Sequence, residues 1–427
     1  MLRVLRAAST AALTGLIGLV PAVGMAGTAG AVPTADRHAA VVSWGDGGGL
    51  EVTVDSDSPI APGSPIARYS TVNSCTRDSY MLRSWMQRFE QEGGGTLTLL
   101  PGTYTLPMTV YVPSSTTIVL SSGTTLLKTT RTCTSKVSAS SSMFMLVNPS
   151  QGRVRDAVGG YDGAHDISIL GAGDGTSVID LNRRRNALGI IAGHNQRVLV
   201  QGIRFQNMNN NHFIEMDANA DSVIAGNEFL RATASTRRSA EAINLDTPDW
   251  LTHGFSAIWS NHDGTANLRV TIAGNVFADM MRGVGTHNFT GGQYHTGIVV
   301  RDNVFRNMRN DAMRVMNWRD SAIVGNQFDE VWCRSRGNKC RGILASGAVN
   351  VTVRDNVFSH MARAMQFFPW RNADEAAVYG ISYNQLTDDN LLDLANNYAG
   401  PGLGRAEAII NPQFGVFSRP TRIRFTS

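Results

Sequence analysis

Ala273-Gly-Asn-Val-Phe277, Arg301-Asp-Asn-Val-Phe305, Val324-Gly-Asn-Gln-Phe328 and Arg354-Asp-Asn-Val-Phe358 are four copies of one phrase, and a fifth stands at Ala225-Gly-Asn-Glu-Phe229. A β-branched or aliphatic residue precedes each Asn by three positions, at Ile224, Ile272, Val300, Ile323 and Val353, with weaker echoes at Val200 to Phe205 and Ile381 to Leu386. Successive Asn residues are 48, 28, 23 and 30 positions apart, which fits one coil per repeat with loops of variable length. A short strand that alternates in and out cannot bury its apolar side alone, so each copy must stack on the next. An Asn at the same corner of every coil can hydrogen-bond along such a stack, being both donor and acceptor and tolerant of turn dihedrals.

The rest of the chain agrees with a solenoid. Its 427 residues exceed one ordinary globular domain, yet no linker interrupts them. With 42% hydrophobic and 17% charged residues, 43 Gly and 14 Pro, it is rich in core and in turns, which argues against a helical bundle or disorder. A net charge of +4 is small for this length and gives no ground for a nucleic-acid partner. Arg3 and Arg6 before the apolar stretch Ala7 to Val20, followed by Ala29-Gly30-Ala31, read as a secretory signal over 1–31, with the mature chain starting at Val32. No later apolar run is long enough to span a bilayer, so a secreted chain without membrane insertion is expected, and a monomer. Four cysteines in an exported chain most simply form two disulfides, Cys333 with Cys340 and Cys75 with Cys133. Residues 32–74 read as an extended or partly disordered arm, and 75–427 as the repeat domain with its caps.

This pattern resembles the right-handed parallel β-helix of the pectin-lyase-like superfamily, with its asparagine ladder, over roughly residues 78–390. The expected fold class is therefore all-β, a single-stranded right-handed parallel β-helix with an N-terminal capping helix. Asp78 or Ser79 would cap that helix, Leu82, Trp85, Met86 and Phe89 would form its inner face, and Gly93-Gly94-Gly95 would end it. Such a helix plugs the open end of the stack and blocks edge pairing. The tail from Leu391 to Ser427, where the repeat breaks, is expected to cover the other end.

The strand after each Asn-x-Phe corner carries the candidate chemistry. In Phe213-Ile-Glu-Met-Asp217 the apolar side chains point inward and leave Glu215 and Asp217 outside, and in Ala242-Ile-Asn-Leu-Asp246 the outer pair is Asn244 and Asp246. The next coils present His287 and Arg314 on the same face, with Glu241 close by. Like charges on neighbouring rungs repel, so the fold gains nothing from this line-up unless a ligand, a metal or a shared proton compensates. Expanded corners at 230–240 and 329–341, and an excursion from Thr247 to Asn267, are expected to wall an exposed groove. Trp250, Trp259, Trp318, Trp332 and Trp370 offer flat platforms for sugar rings.

The order of these groups resembles the polygalacturonase family, itself a parallel β-helix, in which successive coils bring an Asn-Thr-Asp, an Asp-Asp, a Gly-His-Gly and an Arg-Ile-Lys motif to one cleft. The corresponding stretches here are Glu215-Met-Asp217, Asn244-Leu-Asp246, Gly285-Thr-His287-Asn288 and Arg314-Val-Met316; the adjacent Asp pair is missing, and Met316 stands at the lysine position. The resemblance implies a polysaccharide substrate cut by paired carboxylates. Asp246 is expected as general acid, Asp217 or Glu215 as base and His287 as a proton holder, with Glu241, Asn244, Arg314 and Trp318 binding substrate. Strand geometry puts the Glu215 and Asp246 backbones about 8 Å apart, within the spacing of inverting glycosidases. No cofactor is expected for a hydrolase. A polysaccharide lyase of the same superfamily would instead use the acids to hold calcium, with Arg314 or His287 as base. A uronate C5-epimerase and a non-catalytic glycan-binding or adhesion module are further alternatives.

Overall fold

The computed structural model describes residues 49–232, 240–250, 255–286, 291–333, 340–371 and 380–426. The expected leader at 1–31, together with His253, His287 and Asn288, lies outside them. Among the described residues the backbone winds through three long sheets of eleven, eleven and ten strands, and all of these strands but the last, Thr421–Arg424, pair in parallel with strands of neighbouring coils. One coil runs, for example, from Val223–Ala225 in the first sheet to Glu228–Leu230 in the second and Glu241–Asp246 in the third. This is a right-handed parallel β-helix, in keeping with the handedness rule for parallel crossovers.

The repeated phrase makes the corner between the first and second sheets. Asn227, Asn275, Asn303, Asn326, Asn356 and Asn397 form a buried ladder in which the backbone N–H of each donates to the side-chain oxygen of the next at 2.9–3.1 Å. In the five copies of the repeated phrase the residue before the Asn is Gly or Asp because φ there is positive, for example 62° at Gly226 and Gly274, 57° at Asp302 and 60° at Asp355. Two residues after the Asn, Phe229, Phe277, Phe305, Phe328 and Phe358 stack inside the coil at 4.7–4.9 Å, joined by Phe205 below them; this is the strand spacing itself. In Asn303→Ala, the Ile272 and Arg301 carbonyls lose the amide donor that holds them. At about 1–3 kcal/mol for each buried group left unpaired, chemical unfolding should show a loss of several kcal/mol. A midpoint unchanged from wild type would mean that the ladder is ornamental.

Helix α1, Arg77–Glu92, buries Leu82, Met86 and Phe89 against the first coil and ends at Gly93 with φ 83°. Its N-cap is Thr76 rather than Asp78 or Ser79: Asp78 is turned sideways, where its carboxylate accepts the Thr105 N–H and hydroxyl. Within the stretch read as an arm, Leu50–Val54 already pairs in parallel with Gly95–Leu99, so the first sheet starts before Cys75. The tail does close the far end, and it also extends the repeat. Asn397 completes the ladder, Tyr398–Ala399 and Glu407–Ile410 add rungs to the second and third sheets, and Thr421–Arg424 turns antiparallel over the last edge. The sequence hid this rung because Asn397-Tyr-Ala lacks the Phe and helix α2, Asp388–Ala395, is inserted just before it. Both expected disulfides, Cys75–Cys133 and Cys333–Cys340, are present, as suits an oxidising compartment. Among the described residues no helix is long and apolar enough to cross a membrane.

Candidate active site

The third sheet aligns the acids as the strand pattern requires: Glu215 pairs with Asn244, and Asp217 with Asp246. Further along, Asn244 pairs with Gly285, and Gly285 with Arg314. The groups therefore share one outward face, but that face is not exposed. Asp217, Asn244 and Asp246 are fully buried and Glu215 is 6% accessible. The excursion after Asp246 is the cause, because it folds back over the sheet instead of standing beside it. Phe255 and Trp259 pack with Val147, Val158 and Ile191 into a second apolar cluster on the outer face. They lie so close to Gly193, the rung neighbour of Asp217, that a Cβ there would meet both rings within 2.7 Å. Alternation fixes which way a side chain points, and says nothing about what a distant segment lays on top of it.

A second ladder holds the acid backbones. Asn195, Asn219, Asn267 and His295 stand at the corner where the third sheet returns to the first. The Asn219 N–H donates to Asn267 Oδ1 at 2.8 Å, and the Asn267 N–H to His295 Nδ1 at 3.1 Å. Asn219 Nδ2 caps the Asp217 carbonyl, and Asn267 Nδ2 the Asp246 carbonyl. Burial drives the His295 pKa down to about 3, so this imidazole is a neutral rung. Sequence reading missed this ladder although its signal was present: each member precedes the corresponding corner residue, Ile203, Asn227, Asn275 or Asn303, by eight positions.

Within the cluster the three acids have different surroundings. Asn244 Nδ2 donates to Glu215 Oε1 at 2.7 Å and lies 3.5 Å from Asp246 Oδ2, so those two oxygens are at most 6.2 Å apart. Asp246 Oδ1 also accepts the Thr247 N–H. His212, which the sequence reading overlooked, donates from Nδ1 to the Glu241 backbone carbonyl at 2.8 Å and presents Nε2 to Glu215 Oε2 at 3.4 Å. Burial lowers the pKa of this imidazole and favours its neutral form, so Nε2 is an acceptor to which a protonated Glu215 can donate. Neither carboxylate oxygen of Asp217 has a hydrogen-bond partner.

Burial, first of all, raises the carboxyls of Glu215, Asp217 and Asp246 well above their ordinary values. Asp246 adds to the rise at Glu215, and Glu215, Asp246 and Asp249 add to it at Asp217. At Asp246 the Thr247 amide and Asn244 pull the other way, toward the anion. Asp249, in the excursion, is a further acid that sequence reading left out.

Two expected substrate contacts are structural. Glu241 is fully buried in an ion pair with Arg282, whose Nε donates to the Asp311 carbonyl. Trp318 is a core residue whose indole N–H donates to Thr286 Oγ1. The first departs from expectation because position 241 sits at the inner corner of the coil, and the second because Trp318 opens a strand of the first sheet and points inward. Arg314 is half-buried, with its guanidinium 4.7 Å from the centre of the Trp370 ring. Trp332 and Trp250 are exposed, the latter stacked on His262. Among the described residues no group of three His, Cys, Asp or Glu side chains converges at metal-ligand spacing.

No protein-family description matches the chain, and no curated protein matches it. Among solved structures it is similar to PfbA, a surface adhesin of Streptococcus pneumoniae, at 18% identity and a TM-score of 0.49, covering 75% of this chain and 98% of that one. It is also similar to a tailspike protein of E. coli bacteriophage HK620 in complex with a hexasaccharide, at 12% identity and a TM-score of 0.39, covering 75% of this chain and 63% of that one.

Proposed function

We propose that the chain is a secreted, polysaccharide-cleaving glycoside hydrolase whose reacting groups are Glu215 and Asp246. The observation that carries this reading is the unequal proton economy of one buried cluster. Burial first, and then the neighbouring Asp246, raise the Glu215 carboxyl, which faces the neutral His212 imidazole, while at Asp246 the Thr247 amide and Asn244 oppose the rise that burial imposes. Two neighbouring carboxyls in unequal surroundings, one able to give a proton and one able to take one, are what acid–base cleavage of a glycosidic bond requires. Glu215 takes the role of acid in place of Asp246, being the member nearest to solvent. Its proton passes to the leaving oxygen as the glycosidic bond breaks, while Asp246, as the carboxylate, takes a proton from the water whose oxygen bonds to the sugar carbon. Asp217, behind them and without a donor, holds its own proton and spares the cluster a further negative charge. Arg314 and the face of Trp370, two rungs along, suit a sugar ring on the approach side.

The test is incubation of the full chain with neutral and acidic polysaccharides, following reducing ends and ultraviolet absorbance together, with and without a chelator. Reducing ends without absorbance, unaffected by chelation, are expected. Absorbance that chelation abolishes would make the chain a lyase and overturn the assignment. Retention of a glycan with no cleavage across the panel would make it a binding module.

A further inference from the structure

A second polar cavity lies near the start of the solenoid, away from the carboxylate cluster. It has a volume of ≈ 170 Å³, well above the ~10–15 Å³ one water needs, and it opens between α1, the 3₁₀ turn Pro65–Arg68, the strand Val110–Tyr111 and the loop ending at Arg153. Tyr69, Tyr80 and Tyr111 form its walls. Tyr69 meets Tyr80 edge-on at 5.9 Å, and the Tyr80 hydroxyl is fixed to Thr71 Oγ1. Arg83 stands between the Tyr80 and Tyr111 rings, 5.8 and 5.9 Å from their centres, and its Nε donates to the Thr109 carbonyl at 2.6 Å. The remainder of that guanidinium faces the cavity with only Met108 Sδ, 4.0 Å away, beside it. Arg153 lines the same cavity.

Among the described residues neither arginine forms an ion pair with a carboxylate. Glu90, the acid on the neighbouring turn of α1, is engaged by the Ser150 N–H and hydroxyl. Burial above all, with the like charge of Arg153 adding to it, pulls the Arg83 guanidinium below the ordinary arginine range. Packing alone could explain one half-buried arginine whose stem covers apolar surface. It does not account for the second arginine, Arg153, at the rim of the same cavity beside Arg83, and an anion seated there would relieve the cost of burying the Arg83 charge.

We propose that this cavity binds a sugar-sized ring bearing a carboxylate, as in a uronic acid unit, and anchors an acidic glycan apart from the carboxylate cluster. The two guanidinium groups supply planar forks for the carboxylate, and the tyrosine faces supply the surface for the ring. Register places the site on the same outward column as Glu215: Tyr111 pairs with Met145, Met145 with Ile191 and Ile191 with Glu215. The two sites are thus three rungs, about 14 Å, apart along the axis. Binding here depends on the cavity's own residues, so it stands even if the cluster proves not to be catalytic.

The test is calorimetric titration of the full chain with sodium glucuronate, with glucose and with inorganic phosphate, on wild type, Arg153→Gln and Glu215→Gln. Arg153 is exposed, so its substitution leaves the fold intact. Glucuronate should bind about tenfold or more tighter than glucose, Arg153→Gln should lose about that factor, and Glu215→Gln should bind as wild type does. Equal affinity for glucose and glucuronate overturns the proposal. So does phosphate binding more tightly than glucuronate, or glucuronate binding that Glu215→Gln removes and Arg153→Gln leaves untouched.

Discussion

Glu215→Gln is expected to lower the rate of glycan cleavage by about 10²–10⁴-fold, with little change in KM. The substitution isolates the proton because Gln keeps the shape of the site. Its Oε1 still accepts from Asn244, and its Nε2 can donate to His212 Nε2 where the carboxylic acid did. In the wild type kcat/KM should fall as pH rises through the value at which Glu215 loses its proton. That value lies well above the ordinary 4.5, raised first by burial and then by Asp246. The interacting acids share their titration, so the measured midpoint belongs to the cluster and not to one residue. The residual activity of Glu215→Gln should lack this alkaline limb. A variant that keeps wild-type turnover would remove Glu215 from the chemistry and leave its burial a purely structural matter.

Asp217→Asn should make the protein more stable, by on the order of 1–3 kcal/mol near neutral pH, through removal of a carboxyl that is buried without a partner. The gain depends on pH in a definite direction. Unfolded, Asp217 ionises near 3.8; folded, burial and the charges of Glu215, Asp246 and Asp249 hold its proton to a much higher pH. Between those two values the native state binds more protons than the unfolded one, so wild-type stability declines as pH rises across the window and levels off above it. Below about pH 3.8 both states are protonated and the advantage of Asn shrinks. Denaturant midpoints of wild type and variant should therefore diverge with increasing pH. Parallel curves, or a variant that loses stability above neutrality, would show that Asp217 is compensated in a way the geometry does not account for.

The corner that builds the fold and the burial of Glu215 and Asp217 differ in how visible they are in the sequence. The fold was legible because one corner must satisfy three demands at once: a positive φ, a ladder amide and a stacked ring. Only a few residue types meet them, as Gly226-Asn227-Glu-Phe229 and Asp302-Asn303-Val-Phe305 illustrate. Register followed from the period-two alternation, so Glu215, Asp217, Asn244 and Asp246 meet as the pattern requires. Burial was not legible. Whether the segment after Asp246 would rise as a wall or lie down as a lid depends on Gly193, Ile191 and Val147 offering Phe255 and Trp259 an apolar seat, and these residues are about 50 to 110 positions away. The roles within the cluster were equally hidden, because His212 reaches Glu215 from one helical-turn-like distance upstream in a loop that carries no motif. Glu241 and Trp318 mislead for a simpler reason: near corners the in–out alternation breaks, and residues that count as outward by parity turn into the core.

For Glu215 to serve as the acid, neutral carboxylic acids must persist in the cluster at a pH where ordinary carboxylates are ionised. Infrared spectroscopy reports this directly, since the C=O stretch of a protonated carboxyl in a non-exchanging interior is separate from that of a carboxylate. At neutral pH the wild-type protein should show such a band, reduced in Glu215→Gln and reduced again when Asp217→Asn is added. A wild-type spectrum with no protonated-carboxyl band at neutral pH would contradict the assignment of Glu215 as the acid.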